Sequence, residues 1–229
     1  MKKVIKKFMA SEIIKKLILT LIVLISNMSG AQIDRSVPDA EPAPEIKFRS
    51  PITKKLNNNL TLMIVVDNKL PKASATLIID NPPILSKDKS GIRSLLSSIL
   101  GKGNKYQSKD EFIEEKDFMG SSINYNSSGG SLSSLSRYFE RTLTMFAQGA
   151  FYPEFNEEEF DKEKTKLIES LKVNEKNAST IARRVEDIIA FGTNHPRSEY
   201  TTQESVSKIE LSDVSNFYKT YFKPNNAYL

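Results

Sequence analysis

Near residue 136 the prevailing hydrophobic period of this chain changes, and that change restricts the fold more than any other feature. Up to about residue 136 the main apolar runs are short and β-branched. "LTLMIVVD" at 60–67 and "ASATLIID" at 73–80, each bounded by turn formers, read as two strands. "NNN" at 57–59 can supply left-handed turn residues before the first, because asparagine tolerates positive φ. "GSSINYNSSGGSLSSLS" at 120–136 reads as two polar strands around Ser127-Ser128-Gly129-Gly130, a hairpin. Beyond it the spacing is helical. Phe139, Leu143, Phe146, Ala147 and Ala150 make one apolar stripe, and Phe160, Leu167, Ile168 and Leu171 a second. Ile181, Val185, Ile188 and Ile189 make a third, and Leu211, Val214, Phe217, Tyr218 and Tyr221 a fourth. Strands followed by packed helices predict an α+β fold, a mostly antiparallel sheet covered on one face by helices. The closing "NNAYL" turns apolar and extended. It reads as a terminal strand or, preferably, as the entrance to further sequence.

Two helices interrupt the strand half. "SKDEF" opens one with a capping box of Ser108 and Glu111, running to about Met119. The other, over 91–102, is "GIRSLLSSILGKG", which places Ser94, Ser97 and Ser98 at i, i+3 and i+4 on one face. Three small hydroxyls hemmed in by Ile92, Leu95, Leu96, Ile99 and Leu100 make an unusual surface. Gly101-Lys102-Gly103-Asn104 lacks the preceding strand and the following Lys-Ser/Thr of a phosphate loop, so it reads as a helix stop. The acidic clusters "DEFIEEKD" and "NEEEFDKEK" read as solvated helix faces.

Charge excludes one class of partner. The chain carries 33 basic and 28 acidic residues, for a net charge of +5. Six of the lysines, Lys2, Lys3, Lys6, Lys7, Lys15 and Lys16, precede the apolar run "LILTLIVLIS" at 17–26, with Glu12 the only acid among them. This is the pattern of a secretory signal, with Ser29 and Ala31 at the −3 and −1 positions of a cut before Gln32. An uncleaved amino-terminal anchor is the alternative. Removing residues 1–31 leaves 27 basic and 27 acidic residues, so the mature chain is neutral and nucleic acid is not an expected partner. The apolar run is too short for a comfortable membrane span, which predicts an exported protein of the periplasm or cell envelope. Residues 32–50, rich in proline and charge, read as an extended linker, with folded sequence from Pro51.

Composition also limits the chemistry. With no cysteine there are no disulfides and no thiolate metal sites. The single histidine, His195, has no second histidine or cysteine to join it in an ordinary zinc site. No G-x-S-x-G elbow is present to supply a serine nucleophile, so His195 reads as a loop residue.

In its order of features, the chain from about residue 51 to 229 resembles the amino-terminal domain of the insulinase, pitrilysin and mitochondrial processing peptidase superfamily of zinc metallopeptidases. Active members carry a helix reading roughly G-L-A-H-F-L-E-H-M-L-F-K-G-T. Gly91, Ile92, Leu95, Leu96, Ile99, Leu100, Lys102 and Gly103 keep that frame without gaps. The two zinc-binding histidines fall on Ser94 and Ser98, and the catalytic glutamate on Ser97. In the later E-x6-E pattern Glu163 is kept, while the ligand position is Ser170. "FDKEKTKLIESLK", "FGTNHP" and "LSDVSNFYKTYFKPNNAYL" follow the family's run of helix, His-Pro loop and closing motif.

The resemblance implies a domain with neither zinc nor a general base, because serine hydroxyls are weak, neutral ligands. It further implies a pseudo-peptidase acting beside an active HxxEH-bearing relative, with further domains after residue 229. Relatives hold extended peptide against an edge strand like G-x-x-x-N-A. "GSSINYN" matches with Gly120 and Asn124, and Tyr125 replaces the alanine. The strand reads equally as an ordinary hairpin strand. A stand-alone peptide-binding or scaffold protein without a protease partner is the alternative function.

Overall fold

The computed structural model describes residues 13–23 and 50–229. Chain contacts divide it into two units, 1–47 and 48–229. In the first, residues 13–23 form helix α1, with every side chain exposed. Among the described residues no helix is long and apolar enough to cross a membrane. The remainder of the signal assigned to 1–31, and the linker at 32–50 apart from Ser50, lie outside the described residues.

The second unit is an α+β domain. Its six strands are β1 (Ile52–Lys55), β2 (Thr61–Ile64), β3 (Lys72–Ile79), β4 (Ser122–Asn126), β5 (Gly129–Leu135) and β6 (Ala227–Tyr228), in the sheet order β1-β2-β6-β3-β5-β4. All neighbours are antiparallel except β2 and β6. The strand reading of the last residues holds: Ala227–Tyr228 is a central strand joining β2 to β3. β3 alternates as a half-buried strand should, with Leu77 and Ile79 buried and Thr76 and Ile78 exposed. Its register carries the inward set across β5 to Ile123 and Tyr125 of β4.

Helices α2 (Ile92–Ile99), α3 (Lys109–Phe118), α4 (Phe139–Phe151), α5 (Glu157–Asn174), α6 (Ala178–Phe191), α7 (Gln203–Ser207) and α8 (Leu211–Tyr221) complete the domain. α3 starts where the capping box predicts: the Glu111 carboxylate accepts from the Ser108 N–H at 2.9 Å, and Ser108 Oγ accepts from the Glu111 N–H at 3.4 Å. The core joins Leu95 and Leu96 of α2, Met145 and Phe146 of α4, Phe160 of α5, Val206 and Ile209, and Val214 of α8.

Two expectations change. The third apolar stripe does not enter this core: α6 buries no residue, and Ile181, Val185 and Ile189 are 47%, 50% and 80% exposed. The acidic clusters are not simply solvated either. Glu159 of α5 pairs with Lys109 of α3 at 2.7 Å, and Glu115 of α3 with Arg141 of α4. The charges in these runs join helices to each other.

Candidate functional site

Helix α2 holds the three serines in place through its ends and its apolar frame. It begins after Gly91, whose φ of +109° suits glycine, and a Cβ there would lie 2.7 Å from Thr201 Cγ2 and 2.8 Å from Val206 Cγ2. It ends at Leu100, before Gly101 at φ +80°, which is the helix stop the sequence predicts. Ile92, Leu95, Leu96 and Ile99 are buried and turn the serine face away from the core.

The hydroxyls on that face are largely engaged. Ser97 Oγ donates to the Arg93 carbonyl at 2.7 Å and accepts from the Ser127 N–H at 2.8 Å, which ties the β4–β5 turn to α2. Ser98 Oγ donates to the Leu95 carbonyl at 2.9 Å. Ser94 is exposed. The hydroxyls of Ser97 and Ser98 are neutral and bonded back to their own helix, with backbone groups as their described partners. Among the described residues no cluster of three or more histidine, cysteine, aspartate or glutamate side chains could hold a metal ion.

Glu163 and Ser170 both lie on α5. The Glu163 side chain is only 13% exposed and contacts Lys166 at 2.9 Å and Lys102 at 3.5 Å. Burial acts to raise its pKa, but the two lysines outweigh it and hold the carboxyl below its usual range. Lys102 thus joins the end of the α2 motif to α5, a role the motif frame alone does not reveal. Ser170 is exposed, and its Oγ accepts from Asn174 Nδ2 at 3.4 Å. His195 stacks on Phe191 with ring centres 5.1 Å apart, and its Nδ1 accepts from the Arg197 N–H at 3.1 Å.

Gly120, Asn124 and Tyr125 belong to the sheet edge. β4 is a terminal strand of the sheet. Its hairpin closes at the Asn126–Gly129 pair across Ser127 and Ser128. Alternation along an antiparallel ladder then directs the N–H and C=O groups of Asn124 to β5 and those of Ile123 and Tyr125 outward. No backbone hydrogen bond leads outward from those two residues among the described ones. Gly120, at φ +57°, precedes the strand, and Asn124 is exposed, with its Nδ2 donating to Ser122 Oγ at 3.1 Å.

The Tyr125 side chain points inward. It stacks on Phe146 at 5.2 Å, between Gly101 and Gly149, and its hydroxyl donates to the Phe146 carbonyl at 3.1 Å. Burial pushes its phenol well above the usual range. What Tyr125 presents at the edge is its backbone.

No family model matches this chain, and no curated protein matches it. Solved structures do. A peptidase M16 inactive domain from Pseudomonas fluorescens superposes with a TM-score of 0.71 at 18% identity, over 79% of this chain and 45% of that one. A protease from Helicobacter pylori gives a TM-score of 0.65 at 18% identity, over 78% of this chain and 45% of that one. The likeness establishes the α+β fold, and this chain spans just under half the length of each. One neighbour is named inactive and the other a protease, so the fold is compatible with either condition.

Proposed function

We propose that this protein is a non-catalytic homologue of the M16, or insulinase-type, zinc metallopeptidases, and that it holds extended peptide along the open edge of β4 as a subunit of an envelope peptidase complex. The observation that carries this reading is the pairing of an unoccupied backbone edge at Ile123 and Tyr125 with an adjacent helix that keeps the metallopeptidase frame from Gly91 to Gly103. Its reacting positions are Ser94, Ser97 and Ser98. A Zn²⁺ hydrolase needs nitrogen or carboxylate ligands and a base for the attacking water. The serines supply none of these, and Ser170 replaces the later ligand. Strand addition requires only backbone donors and acceptors, which β4 retains.

The partner in this reading is an HxxEH-bearing relative that supplies the zinc chemistry, and the two meet in the envelope, to which residues 1–31 would direct this chain. Affinity purification of the tagged chain from its source, followed by mass spectrometry, tests it: an HxxEH-bearing relative co-purifies, and peptidase activity appears only in the mixture. Stoichiometric zinc on the isolated chain, with chelator-sensitive hydrolysis, would contradict it. Peptide binding by a lone monomer that neither recruits nor alters a peptidase would instead favour the stand-alone binding module.

A further inference from the structure

Beside the turn of the β4–β5 hairpin lies a pocket of about 450 Å³ that the peptide-edge reading does not use. That volume lies within the range of small-ligand sites. Its polar lining is Arg93 from α2, Ser127 and Ser128 from the turn, His195 and Arg197 from the loop after α6, and Asn81, whose amide is already bonded to the Tyr221 carbonyl and to Asn226, while Ile84 and Phe217 form an apolar wall. No carboxylate lines it.

The cations in this pocket lack the partners found elsewhere in the domain. Lys89, Lys102, Lys109 and Arg141 each pair with an acid, whereas neither Arg93 nor Arg197 has an ion pair among those described. Arg93 donates only to Ser127 Oγ at 3.5 Å and Ser128 Oγ at 3.3 Å. Both hydroxyls therefore act as acceptors toward the guanidinium and keep their own O–H free to donate. Arg197 lies over the Phe191 ring at 4.9 Å, which orients its guanidinium without neutralising it. Two positive groups and two hydroxyl donors around an acid-free, partly apolar cavity are complementary to an anion carried on a hydrocarbon body.

We propose that this pocket binds the carboxylate of a compact apolar acid, as displayed by the carboxy-terminal residue of a peptide or by an acidic side chain. The inference holds whether or not β4 takes a peptide strand, and a single capped amino acid, too short to pair with β4, tests it separately. His195 is the only histidine in the chain, so its imidazole resonances report on the pocket without ambiguity.

Titration with N-acetyl-L-leucine is expected to move the His195 signals saturably, while the uncharged N-acetyl-L-leucinamide leaves them in place. Arg93→Ala and Arg197→Ala each weaken binding at least tenfold. Arg197 is exposed, so its replacement preserves the fold, and circular dichroism checks both variants. Comparison with N-acetyl-L-glutamate α-amide identifies the source: tighter binding of the leucine acid marks a terminal carboxylate, tighter binding of the glutamate derivative a side chain. Absence of a saturable shift with either acid, an equal shift with the neutral amide, or unchanged affinity in a natively folded Arg197→Ala would overturn the proposal.

Discussion

Ser94 and Ser97 stand one turn apart on the same face of α2, yet their hydroxyls do different work. Ser97 bridges the Arg93 carbonyl and the Ser127 N–H, so Ser97→Ala leaves that amide without its partner and costs about 1 kcal/mol in denaturant unfolding. Ser94 is exposed, and Ser94→Ala changes stability by less than about 0.5 kcal/mol. Sequence reading groups the two by spacing. It could not separate them, because the difference lies in a turn thirty residues away. Tyr125 shows the same limit. The motif places it in the peptide-edge pattern, but its ring fills a slot bounded by Gly101, Gly149 and Phe146. Tyr125→Phe is expected to cost about 1 kcal/mol through the lost bond to the Phe146 carbonyl, and Tyr125→Ala about 3 kcal/mol or more through the cavity. Urea titration of the two variants checks both. Arg93 carried no signal of its pocket in the sequence, because the other lining residues come from four distant segments, at 79–84, 127–128, 195–197 and 217.

Among the elements, those with strong local signals were readable. The α3 capping box, the β4–β5 hairpin and the α2 helix stop all rest on contacts within a few residues. β1 and α7 were not, and β6 was readable only as the less favoured alternative for the closing residues. β6 has two residues, and its pairing with Thr61 and Ile78 depends on segments some 150 residues away. α7 is a single turn held by Thr202 and Ser205. The α6 stripe is helical as its spacing predicts yet lies outside the core, because periodicity shows that a face is apolar but not that anything covers it. Ile189→Asp should therefore leave the thermal midpoint of the chain unchanged within about 2 °C. Gly91→Ala, at the other extreme, forces a Cβ into a positive-φ position against Thr201 and Val206. It is expected to cost about 1–3 kcal/mol in the same melting experiment.

At the scale of the whole molecule, ion pairs between helices make the domain sensitive to acid. Glu115, Glu159, Glu163 and Asp213 all have carboxyl pKa values held below their ordinary range by lysine or arginine partners. For such groups the unfolded chain binds protons first, so their stabilisation is complete above the unfolded values near pH 4 and is lost as pH falls through the folded ones. The thermal midpoint should fall between about pH 5 and pH 3 and stay level from there toward neutrality. The fold class was readable from the order of strand and helix signals, and the structural neighbours bear it out. What a reading of periods cannot supply is the strand order, which leaves β4 at the edge beside α2. The central claim is that this edge holds peptide and does not cleave it. Amide-resolved NMR during titration with an extended peptide tests it most directly. The account predicts selective shifts at the Ile123 and Tyr125 amides, with the peptide recovered intact. Peptide hydrolysis abolished by a chelator, or binding that leaves both amides unmoved, would contradict it.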